Sequence, residues 1–330
     1  MLSLHTRIEL LDRLGKYMLS EDEQWQETQE WAKSTNAWFS TEHITLSIKN
    51  IAEQFLQKDI LEQWVSNYSL PANPKTVGIV MAGNIPLVGF HDFLCGFISG
   101  HNVRLKQSSK DEVLLKHLVG KLAEWEPQVA EQAQVSDMLK GCDAYITTGS
   151  NNTARYFEQY FGKFPHIIRK NRTSVAILDG NETEAELELL ADDIFLYYGL
   201  GCRNVTQVHI PEKYDFEKLL GSFKRYAHYI DQNKYKNNYD YHLALYLLNR
   251  VPYMTNEFVL LVENPLPFSA VSVLHYQYYT DLKNIEEKLS QNDDIQCIVS
   301  KNKTPLGSAQ KPRINDYADN VDTMAFLCGL

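Results

Sequence analysis

A chain of 330 residues is long enough for two domains with real cores. Its formal charge of −10, from 32 Lys and Arg against 42 Asp and Glu, argues against a general nucleic-acid binder, which needs a basic surface to neutralise phosphates. No apolar run is long enough to span a bilayer, Met1-Leu2-Ser3-Leu4-His5 does not open a signal peptide, and five cysteines without framework spacing fit a reducing, cytoplasmic compartment. No cysteine pair has the spacing of a zinc or redox site, so no metal is expected.

From the start to about Val65 the pattern is helical: Ile8, Leu11 and Leu14 recur at helix spacing, as do Ile44, Ile48, Ile51 and Phe55. Pro71-Ala72-Asn73-Pro74 closes this region as a turn or linker. Strands and helices then alternate. Val77 to Met81 reads as a buried strand, followed by the loop Ala82-Gly83-Asn84-Ile85-Pro86 and an apolar helix from Val88 to Ser99. Asn102 to Lys106 is a second strand, with a helix expected to begin at Ser108-Ser109 and run through Leu122. Tyr145 to Thr147 is a third strand, closed by Thr148-Gly149-Ser150 and a helix from Thr153 to Tyr160; Val175 to Leu178 is a fourth. An acidic helix is expected from Glu182 to Tyr198, then a strand ending at Pro211, helices at 215–230 and 239–249, and strands at 269–276 and 295–299. The basic, aromatic stretch from Lys224 to Tyr241 reads as a solvated amphipathic helix followed by a loop, in preference to an RNA-stacking surface.

Such alternation implies a parallel sheet covered on both faces, with ligands bound beyond the carboxyl ends of the strands. The loops holding Asn84, Lys106 and Gly149-Ser150 all follow strands at that edge. Asn84 could donate to an oxyanion, Lys106 with Arg104 brings positive charge, and Gly149-Ser150 offers backbone N–H groups at a helix start, which suits a pyrophosphate. Each feature has a plainer reading: Asn-Ile-Pro is also an ordinary turn, Ser108-Ser109 an N-cap, and Gly149 the end of a strand. No GxGxxG fingerprint follows the first strand.

Cys202 lies in Tyr197-Tyr198-Gly199-Leu200-Gly201-Cys202-Arg203-Asn204-Val205-Thr206, a Gly-flanked turn ahead of a strand pattern. A free cysteine is commonly a small buried hydrophobe. A nucleophilic one needs access for a substrate carbonyl and a donor near the oxygen that becomes negative, and this turn provides for both. The triplet Asn204-Val205-Thr206 is a chance match to a glycosylation acceptor.

Taken in order, these segments resemble the aldehyde dehydrogenase superfamily. Within it the chain is similar to the acyl-CoA reductases related to the fatty-acid reductase subunit of bacterial bioluminescence. Val77 to Pro86 resembles the superfamily's first strand and Asn-aromatic-Pro loop, Gly100 to Ser109 its Gly-Asn…Lys-Pro-Ser-Glu segment, Ile146 to Ser150 its Thr-Gly-Ser loop, and Gly199-Leu200-Gly201-Cys202 its Gly-Gln-x-Cys nucleophile turn. Leu306 to Gln310 and Asn315 to Met324 resemble the acyl-CoA reductase branch. The resemblance implies an α/β fold of two domains with parallel-rich sheets and a helical N-terminal region. The expected division is residues 1–178, carrying the nicotinamide cofactor, and residues 179–330, carrying the acyl-accepting cysteine.

The same resemblance implies roles. Cys202 would take the acyl group, Asn84 and the Cys202 N–H would hold the oxyanion, Lys106 would hold the adenosine ribose, and Gly149 and Ser150 would lie against the pyrophosphate and nicotinamide. The departures from the superfamily refine this. Its hydrolytic members carry a Glu in Glu-Leu-Gly-Gly-Lys, and the matching Arg169-Lys170-Asn171-Arg172-Thr173-Ser174 has no carboxylate, which favours reduction over hydrolysis. The Glu that contacts the nicotinamide ribose is absent from Pro265 to Ala270, with Glu263 out of register. Ser109 stands where NAD-preferring relatives often have Glu; with Arg104 and Lys106 beside it, NADPH is expected over NADH, although Asp111 and Glu112 work against this. The expected reaction is NADPH-dependent reduction of a long-chain fatty acyl-CoA to its aldehyde through a Cys202 thioester, with Arg203 and Arg169 as candidates to lower the thiol pKa. Acyl-phosphate reduction and a non-redox acyl carrier are the alternatives. The expected partners are an acyl-CoA or acyl-protein donor and further copies of the chain, with no nucleic acid and no membrane span.

Overall fold

Four helices open the chain, and the first three start at side chains that cap them. In the computed structural model, which describes residues 2–330, they are α1 (Leu4–Met18), α2 (Glu23–Thr35), α3 (Thr41–Gln54) and α4 (Lys58–Val65). Ser3, Asp22 and Ser40 accept from the backbone N–H groups of Thr6, Trp25 and His43, satisfying donors that a helix start leaves open. Ile8, Leu11, Leu14, Ile44, Ile48 and Ile51 are all buried, as their spacing predicts.

After residues 71–74 the chain enters β1 (Thr76–Val80), α5 (Phe90–Ile98), β2 (Asn102–Lys106), α6 (Leu114–Trp125), α7 (Val129–Gln132), β3 (Ala133–Val135), β4 (Ala144–Thr148), α8 (Asn151–Phe161) and β5 (His166–Arg169). The five strands form one parallel sheet in the order β3-β2-β1-β4-β5. The chain winds outward from β1 to β3, then crosses back to β4. The switch point therefore lies between β1 and β4, where doubly wound sheets open a crevice. The helix after β2 starts at Leu114, six residues beyond Ser108. Residues 107–113 are held as a turn instead, because the Asp111 N–H donates to the Ser108 carbonyl and the Asp111 carboxylate turns inward.

The second compact unit spans Arg172–Lys311. It holds β6 (Thr173–Ile177), α9 (Glu184–Phe195), β7 (Val205–Pro211), α10 (Phe216–Ser222), α11 (Asn233–Asn249), β8 (Met254–Thr255), β9 (Leu260–Glu263), β10 (Val273–Tyr279), α12 (Leu282–Ser290) and β11 (Ile295–Val299). Its sheet runs β11-β6-β7-β10-β9-β8, parallel except for the β8–β9 pair. The helix expected through Tyr198 stops at Phe195, because Tyr197 and Tyr198 adopt left-handed backbone. The helix expected at 215–230 breaks after Ser222 into a tighter three-ten turn over Lys224–Asp231. The basic stretch around it is no solvated loop: Tyr226, Tyr229 and Tyr235 are buried, and the segment from Asn233 onward is α11.

Pro312–Leu330, including α13 (Thr323–Cys328), belongs to the first unit. Tyr317 accepts from Trp64 Nε1 at 2.9 Å and pairs with the Tyr68 hydroxyl at 2.7 Å, and His101 Nε2 meets the Leu327 carbonyl at 2.9 Å. Arg169 at the end of β5 is buried, ion-paired with Asp92 of α5, and donates to Thr323 Oγ1 at 2.8 Å. One guanidinium thus joins sheet, helix and C-terminal segment.

Gly96 of α5 shows how tightly helix and sheet pack. A Cβ there would lie 2.5 Å from Val103 Cγ1 on β2. In an exposed helix Gly→Ala adds stability; here Gly96→Ala should lower it by about 1–3 kcal/mol, measured by chemical unfolding, since overpacking forces the helix off the sheet.

Candidate functional site

The first unit brings most of the sequence-predicted residues to one edge. The loop after β1 carries Asn84, half-buried; β2 ends at Lys106, whose side chain is exposed; Ser109 lies exposed in the loop beyond. The Met81 N–H donates to the Lys106 carbonyl at 3.0 Å, so the two loops leave the sheet side by side. After β4, the Gly149 N–H donates to the Arg169 carbonyl at 3.3 Å, extending the sheet by one bond. Ser150 then caps α8 through the Thr153 N–H. The plainer reading of this loop holds: Gly149 ends the strand, and Ser150 starts α8, whose N-terminus follows the carboxyl end of β4. A Cβ on Gly149 would meet Phe157 at 3.0 Å and Thr153 at 3.1 Å, so only glycine allows the turn to lie this close to its helix.

Arg104 is placed differently. It is two residues inside β2, and its Nη1 leans toward the Val103 and Glu131 carbonyls at 3.4 and 3.5 Å. Burial pushes the Cys142 thiol pKa up, and the Arg104 charge partly offsets this. Cys142 precedes β4, so this guanidinium faces the amino end of that strand. Asp111 is also withdrawn: it is buried, and its Oδ2 accepts from the Leu87 N–H at 2.8 Å. Burial raises its carboxyl pKa to about 7.

In the second unit, Cys202 is half-buried in the turn between α9 and β7. Tyr197, Tyr198 and Gly199 all have positive φ, at 57°, 56° and 74°. Consecutive non-glycine residues in this region are strained and persist only where the surroundings hold them. The holder is Asn204, which is fully buried. Its Nδ2 donates to the carbonyls of Asp193, Ile194 and Leu196 at 3.2, 3.2 and 2.8 Å, closing the end of α9. Its Oδ1 accepts from the Gly201 N–H at 2.8 Å. One amide thus ties the helix end to the residue before the cysteine. Behind the turn, Ser174 Oγ donates to the Cys202 carbonyl at 3.0 Å and lies 3.0 Å from Cys297 Sγ. Burial raises the Cys297 pKa, with Arg203 pulling the other way, so Cys297 remains a thiol that can donate to Ser174.

Two further anchors border this turn. Thr206 donates to the Pro267 carbonyl at 2.6 Å and Gln207 to the Asn264 carbonyl at 2.8 Å, so the 264–267 segment runs beside the start of β7. Asp193, buried at the end of α9, accepts from the N–H groups of Gly307 at 2.6 Å and Ala309 at 2.9 Å. It holds the Leu306–Gln310 loop that the sequence singled out. Asn204 and Asp193 carry no motif. Their signal was a polar residue placed where an apolar one is expected, at the end of an otherwise apolar helix face and the start of a buried strand.

Asn204→Ala should destabilise the fold by about 3 kcal/mol or more, because three carbonyls and one N–H lose a buried partner. Alkylation of Cys202 by a small thiol reagent should speed up in that variant as the turn loosens, and an unchanged rate would show that the clamp does not position the thiol. Asp193 gives a pH signature. Burial raises its folded pKa to about 6 from an ordinary 3.8, so the folded state holds this proton more tightly than the unfolded one. Stability should therefore be greatest below pH 4 as far as this group is concerned and fall by about 3 kcal/mol as pH rises through 6. Urea unfolding of the wild type and Asp193→Asn across pH 4–7 should isolate that fall in the wild type alone.

The fold has solved counterparts. An aldehyde dehydrogenase from Physcomitrella patens in complex with succinate matches with a TM-score of 0.65 at 13% identity, over 91% of this chain and 74% of that one. An indole-3-acetaldehyde dehydrogenase from P. syringae, in complex with NAD+, matches with a TM-score of 0.64 at 13% identity over 91% and 72%. A Mycobacterium tuberculosis aldehyde dehydrogenase with NAD+ matches with a TM-score of 0.64 at 12% identity over 90% and 73%. Among curated proteins no relative matches the chain. The two-unit α/β architecture with parallel-rich sheets and N-terminal helices is therefore the aldehyde dehydrogenase fold. The sequence family described as acyl-CoA reductase (LuxC) matches residues 6–234, well over half the chain and including the Asn84 loop, the Lys106 strand and the Cys202 turn. The chain belongs to that acyl-CoA reductase family.

Proposed function

We propose that the protein reduces a long-chain fatty acyl-CoA to the aldehyde through an acyl thioester on Cys202, with NADPH as the reductant. The observation that carries this reading is the half-buried Cys202 thiol on a strained turn fixed by Asn204, in a chain of the acyl-CoA reductase family. Backbone strain of this kind gathers at functional sites.

The residues at the carboxyl edge of the first sheet fit a dinucleotide. The α8 N-terminus and exposed Lys106 supply positive charge, and the glycine at 149 permits close approach. Ser109 brings no carboxylate against a 2′-phosphate, and Asp111 is turned inward onto the Leu87 N–H, which leaves exposed Glu112 as the acid that works against NADPH. Lys106 is then the cation of choice, since Arg104 leans away from that edge. Bound there, the reduced cofactor supplies a hydride.

The chain's own residues do the rest. Cys202 Sγ, as thiolate, attacks the thioester carbonyl carbon; the new C–S bond forms, the bond to CoA breaks, and CoA leaves as its thiolate. Asn84 Nδ2 and the Cys202 N–H donate to the oxygen that becomes negative in this step, and again when hydride reaches the acyl carbon. Collapse of that second tetrahedral centre breaks the Cys202 C–S bond, releases the aldehyde and restores the thiolate. Arg203 is the cation proposed to favour the thiolate, because Arg169 is engaged by Asp92 and Thr323.

Cys202→Ala should lose aldehyde formation by at least about a thousandfold and show no acyl adduct by mass spectrometry after acyl-CoA treatment, while still binding NADPH. Aldehyde produced by that variant would sink the proposal. Wild-type adduct that disappears only when NADPH is added separates a reductase from a simple acyl carrier. A higher kcat/KM with NADH would overturn the cofactor assignment, and a series of acyl-CoA lengths tests the preference for long chains.

A further inference from the structure

The loop that carries Asn84 is held from two sides by residues outside it. Ser47 of α3 donates to the Pro86 carbonyl at 2.7 Å. Asp111 Oδ2 accepts from the Leu87 N–H at 2.8 Å, and Leu87 sits in left-handed backbone at φ 57°. A non-glycine residue in this region needs an external hold. The Leu87 carbonyl in turn starts α5, accepting from the Phe90 N–H at 2.9 Å. The loop also touches the segment that carries Asp111: a Cβ on Gly83 would lie 2.8 Å from both Cβ and Oγ of Ser108.

Asp111 is an expensive way to make one hydrogen bond. It is 9% exposed, and its Oδ1 has no hydrogen-bond partner. Burying a carboxyl group with a single partner costs stability that an apolar residue would not. Its placement is explained if the bond itself is needed. We propose that Asp111 is a positioning residue for Asn84: its grip on the Leu87 N–H locks the Asn84 loop to the strand edge bearing Lys106 and Ser109, so that the Asn84 amide stands ready for the acyl oxygen.

This rests on the oxyanion role given to Asn84 above. Asp111 touches neither substrate nor cofactor and acts through the loop alone. Because burial holds its carboxyl near neutrality, an amide is a close mimic of the native group, whereas leucine keeps the volume and removes the acceptor.

The experiment is a double-mutant cycle read by the single-turnover rate of Cys202 acylation with a long-chain acyl-CoA, on Asn84→Ala, Asp111→Leu, Asp111→Asn and Asn84→Ala/Asp111→Leu, each checked for folding by thermal melting. Asp111→Leu should slow acylation by about 10–100-fold with the acyl-CoA KM within about twofold of wild type, as expected for a misplaced transition-state donor. Asp111→Asn should restore most of the rate. In the Asn84→Ala background, Asp111→Leu should add nothing. A multiplicative further loss in that background, or full-rate acylation by Asp111→Leu, overturns the positioning role while leaving Asn84 in place. Full-rate acylation by Asn84→Ala overturns the oxyanion assignment itself, and this proposal with it. Should Asp111→Leu fail to fold, Asp111→Ser carries the same cycle, since its hydroxyl is too short to reach the Leu87 N–H.

Discussion

The Asn204 amide is the contact on which the candidate nucleophile depends. A helix that ends abruptly leaves carbonyls without partners, and the three left-handed residues that follow cost conformational energy of about 1–2 kcal/mol for each non-glycine member. Asn204 meets both problems at once, taking three carbonyls with its Nδ2 and returning its Oδ1 to the Gly201 N–H. The strained tyrosines are useful in their own right. Tyr198 packs on Tyr229 at 4.5 Å between ring centroids and on Tyr235 at 6.1 Å, so the left-handed turn drives its rings into an aromatic cluster. The thiol is thereby presented by a turn that cannot relax without breaking either the cluster or the clamp.

The first unit uses the same device in a second place. There a loop at a strand's carboxyl end contains a left-handed non-glycine residue, Leu87, and a buried polar side chain, here from a distant segment, again holds the backbone. Asp111 does for the Asn84 loop what Asn204 does for the Cys202 turn. Both are buried polar residues whose cost is accepted for geometry, and both attach to the backbone. The Arg169–Asp92–Thr323 contact is of another kind. It fastens β5, α5 and α13 inside one core, and a guanidinium so enclosed has no part in presenting a substrate group.

Regular elements were legible where local pattern and burial agree. Asn102 to Lys106 alternates, is bounded by Gly100 upstream, and forms β2 with the same ends; the helices before Val65 bury the faces their spacing marks. The pattern misled where a tertiary contact overrides it. Ser108-Ser109 has the look of a helix start, but inward-turned Asp111 keeps the segment non-helical until Leu114. The acidic helix is periodic through Tyr198, yet Asn204, six residues on, ends it at Phe195. Short β3 and β5 carry too few residues for a period, and Pro312–Leu330 gives no sign in its sequence that it packs with the first unit. Cys202, Asn84 and Lys106 could be named because chemistry marks them. Asn204 and Asp111 carry no such mark for these roles, since what distinguishes them is the backbone group each one meets.

The segment that the sequence resemblance sets against the superfamily's hydrolytic Glu, Arg169 to Ser174, offers no carboxylate. Arg169 is enclosed by an ion pair, Lys170 and Asn171 are exposed, and Ser174 is engaged with the Cys202 carbonyl and the Cys297 thiol. None of these is a carboxylate that could take a proton from water. Asp193, buried at the end of α9, has both oxygens filled by the Gly307 and Ala309 N–H groups. Cys297 is held as a protonated thiol by burial, so it is no base either. On the proposed reading, an acyl group on Cys202 has oxyanion donors for attack, and none of these residues would activate water. Hydride, which needs no base to deliver it, becomes the nucleophile that the site accepts.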